Sequence, residues 1–393
     1  NWGISMSEDV KVPEGWKRLK LGEIVENLKK VAPPMSKPYL EIGDIDINSK
    51  SYKLKDKEAP NYCLVAYKDN IVISKVRPTR GAIAKIKETK IFVSPALLVL
   101  KYSNPSFLFY SLSRDAFFNF LGKLETGTTY PSVNDIDILS YEILFPPIST
   151  EQQKIAEILE TVDNAIEKTE KIIEKYKRIK QGLMQELLTK GIDENGRIRS
   201  EKTHKFKDSP IGRIPEEWEV VRLGEVVDLR LSNVDKKIFD KEKKVLLCNY
   251  LEVYQNDYIT KKLNFMVGSA DNIEIEKFKI SKGDVIITKD SEEFNDIAKS
   301  AYVRDEIDNL VCGYHLALLK VKDNIEGLFL SRILAFPSIN IHFQKQANGI
   351  TRFGITKETI ENAFIPLPPL PEQQRIAEIL SQIDNTIEKE EAY

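Results

Sequence analysis

The chain has 393 residues, of which 42% are hydrophobic, and this is enough apolar material for about two or three domains. Its formal net charge is -2, because 58 lysines and arginines are balanced by 60 aspartates and glutamates. This balance neither indicates nor excludes a nucleic-acid partner, since basic residues can line a groove while acidic residues cover helices. The longest apolar runs are too short for a membrane-spanning helix.

The N-terminal segment and the cysteines favour a cytoplasmic protein. Residues 1–9 lack the basic and apolar regions of a signal peptide. Three cysteines, at positions 63, 248 and 312, are too few and too scattered for a disulfide framework or a zinc site. A reducing environment fits this content best, and we predict no metal site.

Two stretches of the sequence occur twice in the same order. Residues 13–25, a Pro-Glu-x-Trp turn followed by Leu-Gly-Glu, recur as residues 215–227. Residues 151–164, which begin Glu-Gln-Gln, recur as residues 372–385, and a proline pair precedes each copy. A shared preference of helix starts for such residues does not explain matches of this length and order, so the chain is a tandem duplication.

The segments between the repeated motifs alternate short apolar runs with turn residues. In the first copy we predict strands over 40–47, 71–76, 82–86 and 97–100 and a helix over 107–121. In the second copy we predict strands over 245–248, 285–288 and 316–321 and a helix near 328–336. The fold class is therefore α+β: two globular domains, each with a mixed or antiparallel sheet plus helices.

These patterns divide the chain into five segments. We predict a first globular domain over 10–148, a central helix over 149–190, a linker over 191–214, a second globular domain over 215–370 and a short distal helix over 371–393.

The two helices carry an apolar seam with alternating spacings of four and three, which is typical of a coiled coil. We assign to it Ile155, Leu159, Val162, Ile166 and Ile173 of the central helix and Ile376, Leu380, Ile383 and Ile387 of the distal helix. Forty residues at ~1.5 Å per residue give the central helix a length of about 60 Å. Two such helices in tandem pair most easily antiparallel, with a pseudo-twofold axis across the rod. The distal copy is much shorter than the central one.

The sequence lacks the motifs that usually carry catalysis. It contains neither a Rossmann nor a P-loop glycine pattern, no zinc-protease motif and no nucleophile elbow. The three histidines are isolated in the sequence. We therefore predict no catalytic residue.

Two kinds of segment are candidates for binding DNA. A basic loop follows a predicted strand at 74–81, and its cations could contact phosphates or guanine, although an ordinary solvated loop is an equally good interpretation. In both copies a glycine and a threonine, with an aromatic residue close behind, precede the proline pair; glycine allows close backbone approach, and threonine can donate hydrogen bonds. The candidate residues are Lys75, Arg77, Arg80, Thr129, Tyr130, Lys289, Ser291, Thr351 and Arg352.

The repeated Pro-Glu-x-Trp and Leu-Gly-Glu start, the Gly-Thr segment and the Pro-Pro…Glu-Gln-Gln helix resemble the specificity subunits of type I restriction-modification enzymes. The resemblance implies two target-recognition domains that each read one half of a bipartite, asymmetric sequence of double-stranded DNA. It also implies an antiparallel coiled coil that spaces these domains and docks two methyltransferase subunits, beside restriction (translocase) subunits. S-adenosylmethionine, ATP and Mg would then be bound by the partner subunits and not by this chain.

One alternative remains open. The chain could be a partner-binding scaffold, for example an orphan or anti-restriction homologue that no longer reads DNA. A DNA mimic would need acidic surfaces near Lys75 and Lys289, whereas a DNA-reading subunit would present basic ones.

Overall fold

The structure is a computed structural model that describes residues 12–392. It forms two compact units, Asn1–Lys168 and Thr169–Tyr393, so the division falls inside the central helix. Residues 1–9, for which we predicted no signal peptide, lie outside the described residues. Within residues 12–392, every helix is too short or too polar to cross a membrane.

The first unit contains twelve short strands, four short helices and the first half of the central helix among its described residues. Its strands are β1 Lys17–Lys20, β2 Glu26–Asn27, β3 Val31–Ala32, β4 Tyr39–Leu40, β5 Ile45–Asp46, β6 Ser51–Tyr52, β7 Cys63–Tyr67, β8 Ile71–Ser74, β9 Ile83–Lys85, β10 Lys90–Val93, β11 Leu97–Lys101 and β12 Glu142–Phe145. Its helices are α1 Leu21–Ile24, α2 Pro105–Leu112, α3 Asp115–Gly122, α4 Asp135–Leu139 and the long α5 Ser149–Thr189, which continues into the second unit.

Two four-stranded sheets, in the orders β3-β7-β10-β4 and β2-β11-β8-β9, form the body of the first unit. Strand β8 explains how they pack, because successive side chains of a strand point to opposite faces. Ile71 and Ile73 belong to the core under helices α2 and α3, whereas Val72 belongs to the core shared with the other sheet. Both faces of β8 are thus buried, which accounts for its three consecutive apolar residues at 71–73.

The second unit repeats this plan. Its strands are β13 Phe206–Ser209, β14 Gly212–Pro215, β15 Glu219–Arg222, β16 Val227–Leu231, β17 Lys243–Cys248, β18 Tyr258–Ile259, β19 Met266–Ala270, β20 Val285–Thr288, β21 Asp290–Ser291, β22 Ser300–Val303, β23 Leu310–Cys312, β24 Leu316–Val321, β25 Phe353–Gly354 and β26 Phe364–Leu367. Its further helices are α6 Leu223–Val226, α7 Tyr250–Tyr254, α8 Asn272–Phe278, α9 Gly327–Ala335, α10 Pro337–Gln346, α11 Lys357–Glu361 and α12 Leu370–Glu391.

Strand β20 is the counterpart of β8. It lies inside the sheet β16-β24-β20-β22-β18, with Val285 and Ile287 in the core beneath the helices and Ile286 in the core toward the sheet β19-β17-β23. Most strand pairs in both units are antiparallel, and a few, such as β4 with β10 and β17 with β23, are parallel. The predicted α+β class with mixed, mainly antiparallel sheets is confirmed.

Two predicted elements of the first unit are divided in the structure. The predicted helix over 107–121 is two helices, α2 and α3, because Arg114 between them has an extended backbone (φ -81°, ψ 146°) and a new helix begins at Asp115. The predicted strand over 40–47 is interrupted by a 3-10 turn over Ile42–Asp44. Side chains of Glu41 and Asp44 cap this turn in a reciprocal capping box.

Helices α5 and α12 run antiparallel in the second unit. Lys177 Nζ lies 2.7 Å from Glu391 Oε1, and Lys180 Nζ lies 2.7 Å from Asp384 Oδ1, so the residue numbers rise on one helix as they fall on the other. At the far end, Leu187 of α5 shares the main core of the unit with α12. The predicted antiparallel pairing of the two helices is confirmed for the second half of α5.

The apolar positions that we assigned to the seam fall into two groups. On α12, Ile376, Leu380 and Ile387 are buried and Ile383 is partly buried. On α5, Ile155 and Ile173 are partly buried, whereas Leu159, Val162 and Ile166 are 38%, 50% and 52% exposed. The sequence prediction that these three residues lie in the intrachain seam is therefore corrected: the antiparallel register pairs α12 with residues from 177 onwards, because α12 is only 22 residues long.

The repeated motifs meet in space and form what we call the tryptophan–glutamate anchor. In the first unit, Trp16 Nε1 donates to Glu151 Oε1 over 3.0 Å. In the second unit, Trp218 Nε1 donates to Glu372 Oε2 over 3.2 Å. The tryptophan begins each globular domain and the glutamate begins each long helix, so the anchor fixes where the helix leaves the domain.

The first glutamine of each Glu-Gln-Gln motif reinforces this junction. Gln152 Nε2 donates to the Pro146 carbonyl and Gln373 Nε2 donates to the Pro368 carbonyl, both over 2.8 Å. Proline has no N–H group to donate to a neighbouring strand. Without the glutamine, its buried carbonyl would lack a hydrogen-bond partner. The repeated sequence is thus explained by the shared junction between domain and helix.

The three cysteines are buried free thiols. Burial raises the pKa of Cys63, Cys248 and Cys312, so each is held as the unreactive protonated thiol at neutral pH. We expect an aromatic disulfide reagent at pH 8 to react with the thiols of the folded chain at least about a hundredfold more slowly than with the thiols of the chain unfolded in guanidinium. Rapid modification of a thiol in the folded chain would contradict this burial.

Candidate nucleic-acid interface

The two kinds of candidate DNA-binding segment lie side by side in the first unit. The residues that follow β8 pair with the residues that follow the Gly-Thr segment: Arg77 N donates to the Pro131 carbonyl (2.7 Å), and Val133 N donates to the Lys75 carbonyl (2.9 Å). The basic loop and the Gly-Thr segment, 50 residues apart in the sequence, therefore form one surface.

The Gly-Thr segment is a hairpin, which we call the first hairpin (residues 126–132). Its ends are closed by two backbone hydrogen bonds between Thr126 and Ser132, of 2.9 and 3.0 Å. Gly127 has a φ of +93°, a left-handed conformation that glycine adopts without strain. The tip, including Thr129 and Tyr130, is exposed to solvent.

Side chains at the first hairpin place a cation beside an aromatic ring. The guanidinium of Arg77 lies 5.4 Å from the centroid of the Tyr130 ring, within the range of a cation–π contact. Arg80 is exposed at the end of the neighbouring 3-10 turn, Pro78–Arg80. The surface thus combines a hydroxyl, an aromatic face and guanidinium groups, which are the groups that contact phosphates and base edges in protein–DNA complexes.

Lys75 is held by an acidic neighbour within the unit. Its Nζ lies 3.1 Å from Asp135 Oδ1, while Lys29 Nζ lies 3.4 Å from Asp135 Oδ2. Partial burial disfavours the charged carboxylate, but the hydrogen bond from Asn27 and the two lysines outweigh it and lower the pKa of Asp135. Lys75 is therefore positioned by Asp135, and a DNA phosphate would share it with this carboxylate.

The second unit contains the same hairpin, which we call the second hairpin (residues 348–354). Two backbone hydrogen bonds of 3.0 and 2.9 Å join Asn348 and Gly354. Ile355 N donates to the Lys289 carbonyl over 2.9 Å, as Val133 N does to Lys75. Lys289 thus occupies the backbone position in the second unit that Lys75 occupies in the first.

The side chains around the second hairpin differ from those of the first. Lys289 Nζ donates to the Ser232 carbonyl (3.1 Å) and lies 4.8 Å from the centroid of the Tyr314 ring. Arg352 Nε lies 3.4 Å from Asp290 Oδ1, and the other oxygen of Asp290 is 2.7 Å from His315 Nδ1. These groups form a compact cluster of charged and aromatic side chains.

Two further candidates of the second unit differ in accessibility. Thr351 is exposed at the tip of the second hairpin. Ser291 is buried in β21, which pairs with β25. A direct contact between Ser291 and DNA would therefore require a local rearrangement, and its position suits support of the hairpin better.

Sequence reasoning missed several residues of these surfaces. Asp135 lies 60 positions after Lys75 and Asp290 lies 62 positions before Arg352, and their carboxylates orient these two basic groups. Tyr314 and His315 lie between β23 and β24, in a turn where His315 has a φ of +73°. Only the Gly-Tyr-His turn at 313–315 could have drawn attention to them, since sequence spacing does not reveal their proximity to Lys289.

Sequence comparison identifies relatives of this whole chain. It is 28% identical over 398 residues to the type I restriction enzyme MjaVIII specificity subunit of Methanocaldococcus jannaschii, covering 96% of this chain and 88% of that protein. It is 27% identical over 421 residues to the putative type I restriction enzyme MjaX specificity subunit of the same organism, with the same coverages.

Solved structures share the fold. The type I restriction-modification S subunit of M. genitalium aligns with a TM-score of 0.61 at 13% identity, covering 99% of this chain and 93% of that chain. A chain from a study of complex assembly and conformational transition of the type I restriction-modification system aligns with a TM-score of 0.54 at 22% identity, covering 97% and 93%.

A family profile described as "Type I restriction modification DNA specificity domain" matches the chain twice, over residues 13–178 and 215–392. Each match begins at the Pro-Glu-x-Trp turn and extends into the Glu-Gln-Gln helix. Because the two matches cover most of the chain, it belongs to the family of type I restriction-modification DNA specificity proteins, as the resemblance of its repeated motifs predicted.

Proposed function

We propose that this chain reads a bipartite, asymmetric sequence in double-stranded DNA, one half with each unit, and scaffolds the methyltransferase and restriction subunits of a type I complex. Membership of the specificity family makes it a non-catalytic subunit that recognises DNA. The division into two half-sites and the docking of partners are the proposed parts.

The observation that carries this proposal is the pair of hairpins. Residues 126–132 and 348–354 have the same length and the same closing hydrogen bonds, and each packs beside the lysine that follows an equivalent strand. Their tips differ: the first presents Thr129 and Tyr130, and the second presents Thr351 and Arg352. One scaffold with two different tips is what two different half-sites would require.

The exposed face of the central helix supports the docking of partner subunits. Ile158, Leu159, Val162 and Ile166 of α5 are all exposed in this chain. Exposed apolar side chains that recur along one helix commonly mark a protein interface. We place the contact with the modification subunits on this part of α5.

The remaining expectations follow from this assignment. S-adenosylmethionine, ATP and Mg would be held by the methyltransferase and restriction subunits, which supply the chemistry. A cytoplasmic location, predicted from the cysteine content, belongs to the same proposal.

Exchange of one domain tests the division of labour. Strand β1 pairs with β12, with Lys17 opposite Phe145, so the two ends of the segment 18–145 meet. Replacing this segment with that of another family member leaves the junction of Trp16 with Glu151 in place. We expect the exchange to change one half-site and to leave the other half-site and the spacer unchanged, as read by selection from a random DNA pool with both modification subunits present.

The matched control exchanges residues 223–363 in the second unit, whose ends are also adjacent, because Leu223 N donates to the Ala363 carbonyl (2.9 Å). This variant should change the other half-site. If either exchange altered both half-sites, the proposed division would be refuted. If the native chain selected no split sequence, the alternative of a scaffold that no longer reads DNA would be favoured.

A further inference from the structure

The tryptophan–glutamate anchor of the second unit holds a third element that follows α5. Gly191 packs directly on it: a Cβ atom added there would lie 2.4 Å from Trp218 Cζ2 and 2.1 Å from Glu372 Oε1. Ile192 N donates to Glu372 Oε1 (2.9 Å), and Arg199 Nη2 donates to Glu372 Oε2 (3.1 Å). Residues 191–199 form a short hairpin, closed by a bridge between Ile192 and Ile198, and its two ends clamp the anchor, with Gly191 on the indole and Arg199 on the carboxylate.

This segment closes the second anchor. Trp218 is completely buried, and the side chains of Arg199 and Glu372 are 6% and 8% exposed. A buried carboxylate requires such partners, because it would otherwise lose its hydration without compensation. The glycine has a φ of +63°, so a larger residue there would be strained as well as obstructed.

The first anchor has the same two residues without the third element. Trp16 and Glu151 are both only partly buried. Within residues 12–392, the hydrogen bond to the Glu151 carboxylate comes from Trp16 alone. The backbone turn before the tryptophan is also the same, with Trp16 N donating to the Pro13 carbonyl (3.0 Å) and Trp218 N to the Pro215 carbonyl (3.1 Å).

We infer that the first anchor is a docking site for a polypeptide hairpin with the chemistry of residues 191–199: a glycine that packs on the Trp16 indole and, eight residues later at the other end of the hairpin, an arginine that pairs with Glu151. The carboxylate of Glu151 and the partly buried indole of Trp16 complement these two groups. Occupation of this site would fix the start of α5 to the first unit as Arg199 fixes the start of α12 to the second. The inference does not depend on DNA binding.

A further difference between the two anchors affects the affinity expected for the docked segment. Arg199 Nη2 also lies 2.9 Å from Glu217, and the repeat places Gly15 at the corresponding position of the first unit. An incoming arginine at the first anchor would therefore meet one carboxylate instead of two. We expect a reversible contact there, weaker than the intramolecular one.

A peptide that copies residues 187–200 tests the docking site. Labelled with a fluorophore and titrated with the full chain, it should show saturable binding by fluorescence anisotropy. Glu151→Gln in the chain, or Arg199→Ala in the peptide alone, should weaken binding by at least about tenfold, because each removes the charge-assisted pair. The peptide variant leaves the protein untouched, so loss of folding cannot account for its effect.

The matched control is Glu157→Gln, an exposed glutamate on the same helix, which should leave peptide binding unchanged. Two results would overturn the inference. One is the absence of saturable binding up to about 1 mM peptide, the weakest affinity of interest here. The other is binding that Glu151→Gln does not weaken, which would mean that the peptide displaces the native segment from Glu372 instead.

Discussion

Replacing Glu372 with alanine is expected to lower the free energy of unfolding of the second unit by about 3–5 kcal/mol. The carboxylate accepts hydrogen bonds from Arg199, the Ile192 backbone and the Trp218 indole. Its removal leaves the buried guanidinium of Arg199 with Glu217 as its remaining ion-pair partner, and Glu217 is largely exposed. Loss of one partner from a buried ion pair costs more than the pair itself contributes, because the other charge stays desolvated.

The repeat provides a matched control for this prediction. Glu151→Ala removes the corresponding carboxylate of the first unit, which is partly exposed and accepts from Trp16. We expect this variant to cost less, about 1–2 kcal/mol, because its single hydrogen bond is charge-assisted but the partly exposed carboxylate is also hydrated. Hydrogen exchange of the full chain, measured at increasing urea concentration and resolved to peptides of each unit after digestion, would separate the two effects. Equal losses for the two variants would contradict the view that residues 191–199 stabilise one anchor only.

The parts of the fold that could be predicted from sequence are those encoded by local pattern or by repetition. The buried strand Ile71–Ser74 begins with three consecutive β-branched apolar residues, and α5 carries an apolar period over 41 residues. Both patterns indicate a single type of element. The duplicated Trp and Glu-Gln-Gln motifs revealed the two-unit organisation, although the contact between Trp16 and Glu151 joins residues 135 positions apart and became evident only in the structure.

The parts that could not be predicted depend on contacts between distant segments. Lys75 was a candidate from its place in a basic loop, but its pairing with Asp135 depends on the contact between this loop and the segment that follows the first hairpin. Lys289 and Tyr314 come together because the loop after β20 and the loop before β24 lie at the same end of these neighbouring strands. Sequence alone could propose which residues are basic and exposed, but not which of them an acidic neighbour holds in place.

The seam shows a further limit of sequence pattern. The same apolar period runs through both halves of α5, so Leu159 and Leu187 looked equivalent. The structure buries Leu187 and leaves Leu159 exposed, because the partner helix α12 pairs with the second half. An apolar period therefore identifies a surface that can pack, while its partner has to be found from the register.

Insertion of seven residues in α5 is expected to lengthen the spacer between the two half-sites by about three base pairs. Seven residues add ~10 Å to a helix and rotate its ends by only about 20°, so the surfaces at both ends keep their orientation. Duplex DNA rises about 3.4 Å per base pair, which converts ~10 Å into about three pairs. The prediction rests on the proposed reading of one half-site by each unit.

The structure indicates where the insertion can be made. Tyr110 donates to Asp163 (2.7 Å) in the first unit, and Lys177 pairs with Glu391 in the second. Between these two contacts the helix is mostly exposed, so the insertion belongs after Lys168.

An insertion of five residues at the same point is the matched control. It adds ~7.5 Å but turns one end of the helix by about 140° relative to the other, and it should abolish binding to split sites. Selection from a random DNA pool with the modification subunits would measure both variants. A seven-residue variant that kept the native spacer would show that α5 does not set the distance, whereas changed half-sites would show that the insertion had disturbed the reading surfaces themselves.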